Sequence, residues 1–187
     1  MVTLTSEKNR TFVDISRSPE EDSVTFYVDG KATKENVCQA IGASDFQVDT
    51  EIVESIVEIF GGDGVDAAKA IINARIIAYD SSPNVNGFLY AGYPLWLDKA
   101  TRVGLRLRFE SEQGVGKEST TLWAGNIAIS LPLAAAIAML HAIEIYASEC
   151  YDNTASHLAA IAELDDVDEI LAYDYTDGYP EQLVFGV

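Results

Sequence analysis

The side chains of this chain that are best suited to chemistry are two histidines and the carboxylates near them. His141 lies three residues before Glu144, and Glu149 lies eight residues before His157. A metal site in a helical bundle needs Glu-x-x-His pairs from two helices and further carboxylates. Here only the reversed order, His-x-x-Glu, occurs, and it occurs once. The spacing therefore predicts no metal site, and no other pattern predicts a cofactor.

The motifs of nucleophilic and phosphate chemistry are also missing from the sequence. There is no Gly-x-Ser-x-Gly elbow, and no cysteine has a histidine at local spacing. The glycines at 61–64 are not followed by Gly-Lys-Ser/Thr, which predicts a turn between helices and not a phosphate loop. Hydrolysis by two carboxylates about 5 to 10 Å apart stays an alternative, but the sequence nominates no pair. We therefore expect no enzyme activity and no catalytic residue.

Two cysteines, Cys38 and Cys150, lie far apart along the chain. Neither has a second cysteine or a histidine at metal spacing, so we expect two small apolar side chains in a cytosolic setting. A disulfide between them stays open at this stage.

The composition predicts a folded, acidic protein. Of 187 residues 48% are hydrophobic, which is enough to bury a core in one domain or two small ones. Thirty acidic and twelve basic residues give a formal net charge of −18, which repels nucleic-acid phosphates and anionic membrane surfaces. The polar residues at 1–8 do not form the apolar segment of a signal peptide. We therefore expect neither a nucleic-acid partner nor a membrane partner.

The most apolar run of the chain, residues 127–145, is interrupted by Ser130, Pro132, His141 and Glu144. These interruptions are typical of a helix in a protein core and not of a bilayer span. We expect this run to be buried in protein.

The sequence pattern of residues 1–76 predicts strands followed by helices. Alternating apolar residues at 11–15 and 24–28, separated by a polar turn at 18–22, favour an antiparallel hairpin. Helical periodicity and glycine breaks predict three helices, at 34–41, 50–60 and 65–78. A two-stranded hairpin is marginal alone, so it must pack on these helices or pair with another chain.

Residues 77–187 begin with two further hairpins. The first has strands at 88–90 and 93–97, and the second has strands at 120–124 and 127–129. Residues 101–112, between the hairpins, alternate like a strand but begin like a capped helix, so their pattern alone leaves both open.

A long helix dominates the rest of the chain. It is predicted to begin near Ser130, with Pro132 in its first turn, and to reach Leu164 or to break at 152–154 into a helical hairpin. Asp165 and Asp166 suit the N-cap of a short helix through Ala172. The fold class is therefore α+β, with short antiparallel hairpins packed with a helical bundle.

A set of aromatic residues and one arginine are the candidate interface residues. Tyrosine and tryptophan supply rigid contact area and stack on sugar rings, so a protein partner, a copy of the same chain or a glycan are the alternatives to core packing. Arg102 belongs to the basic cluster formed with Arg106 and Arg108, for which ion pairs to the acidic surface and an anionic partner are both open. The candidate residues are Tyr90, Tyr93, Trp96, Arg102, Trp123, Tyr175 and Tyr179.

Six short runs between residues 77 and 187 carry a family resemblance. They are residues 79–80, 85–88, 96–102, 120–123, 144–147 and 173–180. With these runs the chain resembles a carboxy-terminal domain of unassigned biochemistry found in tail-fibre and tail-fibre-assembly proteins of tailed phages and prophages. The resemblance favours a helix at 101–112 and divides the chain into an amino-terminal part, 1–76, and a phage-type part, 77–187. The amino-terminal part would then dock onto a virion.

The resemblance implies a function in protein assembly. We expect a non-enzymatic virion structural protein of the tail or tail fibres, oligomeric and in contact with other phage structural proteins. The alternatives are a tail-fibre assembly chaperone that is absent from the mature virion, and a fibre component that binds host-surface glycans. The expected location is the virion, or the bacterial host cytoplasm during assembly.

Overall fold

The computed structural model describes residues 2–7, 10–15, 24–29, 31–44 and 46–186. Within these residues the protein is a mixed α+β structure, as predicted, with short antiparallel strands and a long helix. In chain order the elements are β1 (Val2–Glu7), β2 (Arg10–Ile15), β3 (Val24–Asp29), α1 (Lys34–Gly42), α2 (Thr50–Phe60), α3 (Gly64–Asp80), β4 (Phe88–Tyr90), β5 (Tyr93–Leu95), α4 (Lys99–Gly114), β6 (Ser119–Ala124), β7 (Ile127–Pro132), α5 (Leu133–Glu163), α6 (Val167–Leu171) and β8 (Val184–Phe185).

The chain divides into two compact units. Unit 1 comprises Met1–Ser81 and Asn153–Gly178, and unit 2 comprises Ser82–Asp152 and Tyr179–Val187. The predicted division between residues 76 and 77 lies near the first boundary. The second boundary differs from that division, because residues 153–178 return to the amino-terminal unit.

Unit 1 is a three-stranded antiparallel sheet with helices α1, α2, α3 and α6 and the end of α5. The sheet order is β1-β2-β3, and Val13 and Ile15 of the central strand are fully buried. The helices begin where short polar side chains accept backbone donors, at Thr33, Asp49 and Asp63. Their apolar faces meet in one core, whose buried helical members include Val37, Ile41, Ile52, Ile56, Ala67, Ala68, Ile71, Ile72, Ile76, Ile161 and Ile170.

Unit 2 contains two small sheets, helix α4 and the beginning of α5. The first sheet has the order β5-β4-β8, in which β8 pairs parallel to β4, and the second is the hairpin β6-β7. Phe109 of α4 packs with Leu133, Ala136 and Leu140 of α5 in a small core cluster. A two-stranded hairpin needs such a support, since its own hydrogen bonds do not stabilise it in water.

Several sequence-based predictions are confirmed by these elements. The three helices of residues 34–80, both hairpins of residues 88–132, the helix at 101–112 and the short helix after Asp166 are all present, with ends that shift by a few residues. The two predicted amino-terminal strands are β2 and β3, whereas their predicted turn at 18–22 lies outside the described residues.

Other predictions are wrong in detail. β1 and β8 were not predicted, and they turn two hairpins into three-stranded sheets. Pro132 is the last residue of β7, paired with Ser119, so it precedes the long helix and does not form its first turn. Of the two alternatives for the long helix, the unbroken one is confirmed, because α5 runs through residues 152–154.

The expectation that the apolar run is buried is also corrected. In the described part of the chain, α5 is the one helix that is long and apolar enough to cross a membrane, judged by length and composition only. Core helices of soluble proteins pass the same test, yet only a third of its apolar window is buried here. The physical reason is that α5 packs along one side, where Ala136, Leu140 and Ile143 are buried, and presents its other side to solvent.

Candidate interaction site

An aromatic cavity in unit 2 is lined by three of the seven predicted interface residues. Its volume is about 140 Å³, and its walls come from both hairpins and from α5. It is lined by Phe88, Tyr90, Leu95, Trp96, Leu97, Leu122, Trp123, Ile129, Leu131 and Met139, and we refer to it as the aromatic cavity. None of these residues carries a charge, so the cavity is an apolar site.

The β4-β5 hairpin holds one wall of the aromatic cavity. Its turn needs positive φ at Ala91 and Gly92, at 48° and 82°, and these values bring Tyr90 opposite Tyr93. β8 then pairs with β4, and the rings of Phe88 and Phe185 meet edge to face with centroids 5.7 Å apart. The wall is therefore fixed on both edges of β4.

Arg102 of α4 fixes the position of Trp96. Its side chain is buried, and its Nε lies 2.5 Å from an Oε atom of Glu144 on α5. Its Nη1 donates to the carbonyl oxygen of Leu97 at 2.7 Å, and its guanidinium lies 5.5 Å from the centre of the Trp96 ring. One arginine thus ties the loop after β5 to both long helices of the unit.

Arg108 of α4 fixes the opposite wall in a similar way. It donates to the hydroxyl of Thr120 at 3.0 Å and to the carbonyl oxygen of Thr121 at 2.9 Å, and so holds the start of β6. Arg108 and Lys117 also reach the same Oε atom of buried Glu112, at 3.2 and 3.3 Å. Hydrogen bonding from Thr120, followed by that from the two cations, holds the pKa of Glu112 below its usual value.

The structure brings together some of the predicted interface residues and separates others. Tyr90, Trp96 and Trp123 line the aromatic cavity, and Arg102 supports it from behind. Tyr93 belongs to the same hairpin as Tyr90, and its side chain is 68% exposed.

The two remaining candidates lie elsewhere in the chain. Tyr175 belongs to unit 1, where its half-buried ring meets that of Tyr79 edge to face with centroids 5.9 Å apart. Tyr179 belongs to unit 2, is half-buried and has interactions of its own. Neither lines the aromatic cavity.

The aliphatic lining of the cavity was missed at the sequence level. Leu122, Ile129 and Leu131 lie on one face of the β6-β7 hairpin, as their alternation with exposed residues shows. That alternation was the available signal. It does not reveal that this face meets the β4-β5 hairpin, because the two hairpins are separated by a whole helix.

A second polar cluster surrounds His157 in unit 1. Its Nδ1 lies 2.8 Å from the hydroxyl of Tyr173, and its Nε2 lies 3.0 Å from the carbonyl oxygen of Asp177. Asn153 donates to the same carbonyl at 2.9 Å. The sequence offered only Glu149 as a partner for this histidine. The observed contacts instead bind the segment after α6 onto α5, which is a structural role.

The cysteines and the remaining charged groups do not line the aromatic cavity. Among the described residues, no group of three or more histidine, cysteine, aspartate or glutamate side chains is arranged to hold a metal ion. Cys38 and Cys150 are both buried and are not joined by a disulfide, and burial raises the pKa of Cys38 to about 11. An open groove of about 800 Å³ in unit 1, between α1 and α3, is lined by small side chains and by charges of both signs, including Glu35, Asp66 and Lys69.

Comparison of the chain with models of protein families, with curated proteins and with solved structures finds no match in any of the three.

Proposed function

We propose that this protein is a non-enzymatic structural component of a tailed phage or prophage, near the tail or tail fibres, and that unit 2 makes its contacts with other proteins. The location in a phage rests on the resemblance of residues 77–187. The assignment of the contacts to unit 2 is supported by one observation, which is the unequal distribution of charge and exposed apolar area between the two units.

The charge of the chain is concentrated in unit 1. Unit 2 holds five of the twelve basic residues and eight of the thirty acidic residues, so its formal charge is −3 and that of unit 1 is −15. A strongly charged unit stays soluble and repels its own copies, whereas a nearly neutral unit approaches a partner without that repulsion.

The exposed apolar side chains show the opposite distribution. Among the described residues, eight large apolar side chains of unit 2 are exposed, and three of unit 1 are. They occur on every element type of unit 2, including the sheet residue Tyr93, the hairpin residue Trp123 and the helix residues Leu107, Ile145 and Tyr151. Aromatic residues and low charge are typical of the centre of protein interfaces.

The same surface fits a tail-fibre assembly chaperone, which would cover a fibre subunit before the virion is complete.

The surface of unit 2 fits a glycan binder less well. Sugar recognition needs hydrogen-bonding groups beside the aromatic ring, and the side chains that line the aromatic cavity offer only the hydroxyl of Tyr90 and the indole N–H groups of Trp96 and Trp123.

Quantitative mass spectrometry of purified phage particles tests this proposal. A structural component is present at a fixed copy number relative to the tail proteins. A chaperone is absent from the particles but bound to a fibre subunit in lysates taken before assembly is complete. Absence from both fractions would overturn the proposal, and specific binding to a glycan array would replace it with the glycan alternative.

A further inference from the structure

The aromatic cavity has the size of one aromatic ring. Its volume is about 140 Å³. An engineered apolar cavity of about 150 Å³, lined by leucine, isoleucine and phenylalanine in another protein, binds benzene. The agreement in volume and in lining chemistry sets the class of guest, which is a single ring of about six carbon atoms.

The lining also excludes charged and strongly polar guests. All ten residues are aliphatic, aromatic or methionine, so a charged group would lose its hydration without gaining a partner. The lining side chains offer a guest only three polar groups, the hydroxyl of Tyr90 and the indole N–H groups of Trp96 and Trp123. An uncharged aromatic ring therefore fits the site best.

The cavity is built before a guest arrives. Arg102 holds Trp96 through the carbonyl of Leu97, and Arg108 holds the strand that carries Trp123. Both arginines are paired with carboxylates, so the supports are themselves close to neutral. A site that is already ordered loses little conformational entropy when it binds.

The exposed residues around the aromatic cavity indicate that the ring bound in it belongs to a larger molecule. Trp123 is 68% exposed although it lines the cavity, and Tyr93, beside Tyr90 on the first hairpin, is exposed to the same extent. A free small molecule would not cover these rings. A protein partner that inserts one side chain would cover them, and the low net charge of unit 2 matches an uncharged segment of such a partner.

We propose that the aromatic cavity is an anchor pocket for one phenylalanine side chain of a protein partner. This inference rests on the proposed function and adds the chemistry by which the partner is recognised. Truncation of such an anchor to alanine is expected to weaken binding by about 10- to 100-fold.

The chain contains natural reporters for this pocket. Its only two tryptophans, Trp96 and Trp123, both line the cavity, and one of its two methionines is Met139. In protein labelled with ¹³C at the methionine methyl groups, titration with benzene or with N-acetyl-phenylalanine amide is expected to shift the Met139 signal saturably. An unchanged Met139 signal would overturn the proposal without any mutation.

Filling the cavity gives the matched test. Leu122→Phe and Leu131→Phe add a ring inside it, whereas Ile59→Phe adds a ring at a site on α2 of unit 1 that is 38% exposed and not part of the lining. Two filling variants are used so that a folding defect in one, detected by circular dichroism, leaves the other. We expect both to lose the benzene shift, and Ile59→Phe to keep it.

Incorporation into phage particles then decides whether the bound ring belongs to a protein partner or to a small molecule. The anchor pocket predicts that the filling variants enter particles, or bind a fibre subunit, about 10- to 100-fold less than Ile59→Phe. If the filling variants lose benzene binding but enter particles normally, the claim of a protein partner is refuted and the cavity is a site for a small molecule. A wild-type chain that binds benzene but enters neither fraction would refute the proposed function itself.

Discussion

Replacement of Arg102 by methionine is expected to destabilise unit 2 by about 2 to 5 kcal/mol. The part-buried hydrogen bond to the carbonyl of Leu97 contributes about 1.5 to 3 kcal/mol, because its donor is charged. The contact with the ring of Trp96 adds about 0.5 to 1 kcal/mol. The ion pair with Glu144 adds at most about 1 kcal/mol, because the glutamate side chain is 49% exposed. Methionine keeps most of the apolar stem packing, which limits the total.

Glu144→Gln is the matched control. It removes the charge of the ion pair but leaves the bond from Arg102 to Leu97 in place, so we expect a loss of at most about 1 kcal/mol. The assay is urea unfolding followed by tryptophan fluorescence, which reports on unit 2 because Trp96 and Trp123 both lie there.

Two outcomes would refute this reasoning. An Arg102→Met variant within about 0.5 kcal/mol of the wild type would show that the hydrogen bond to Leu97 does not hold the loop. A Glu144→Gln variant that loses as much stability as Arg102→Met would show that the ion pair, and not the carbonyl, is the main partner.

Three further predictions concern the rest of the chain. Gly42→Ala places a Cβ atom 2.3 Å from a side chain of α3 and is expected to destabilise the protein by about 1 to 3 kcal/mol. Gly104→Ala, in open space on α4, is expected to stabilise it by about 0.5 to 1 kcal/mol. Thermal unfolding of the two variants compares these effects. Burial raises the pKa of the Cys38 thiol from 9.0 to about 11, so this thiol should react with a thiol reagent at pH 8 far more slowly in native than in unfolded protein. The stability of the protein should also fall as the pH rises from about 9 towards 11. Equal labelling rates in native and unfolded protein would contradict the burial of Cys38. The pKa of Asp174 is lowered mainly by the hydroxyl of Thr176. The contribution of Asp174 to stability is therefore present above its ordinary pKa of 3.8 and is lost as the pH falls through the lower native value. In Thr176→Val an NMR titration should find a higher pKa for Asp174, and an unchanged pKa would refute the assignment.

The elements that sequence reasoning placed correctly are those with local signals. The helices of unit 1 begin at capping side chains and follow an apolar period of 3.6 residues, both of which are visible in the sequence. β8 is only two residues long and pairs with a strand almost a hundred residues earlier, so no local pattern marks it. Pro132 suits either a helix start or the end of an edge strand, and its pairing with Ser119 decides between them.

The candidate site was predictable only in part. Residue type identified Tyr90, Trp96 and Trp123, because exposed or half-buried aromatic residues are typical of interfaces. Their meeting in one cavity depends on the packing of two hairpins that a helix separates, which is a non-local event. Arg102 was predicted as a candidate contact, but its burial and its bond to Leu97 come from the same non-local packing and give it a supporting position.

The most direct test of the central claim, that unit 2 makes the contacts of this protein, compares two tyrosines. Tyr93 of unit 2 and Tyr27 of unit 1 are 68% and 64% exposed, so Tyr93→Ser and Tyr27→Ser remove nearly equal amounts of surface. The measurement is the copy number of each variant in purified phage particles, or bound to a fibre subunit, relative to the wild type. The account predicts that Tyr93→Ser is depleted and Tyr27→Ser is not. Equal copy numbers, or depletion of Tyr27→Ser alone, would contradict it.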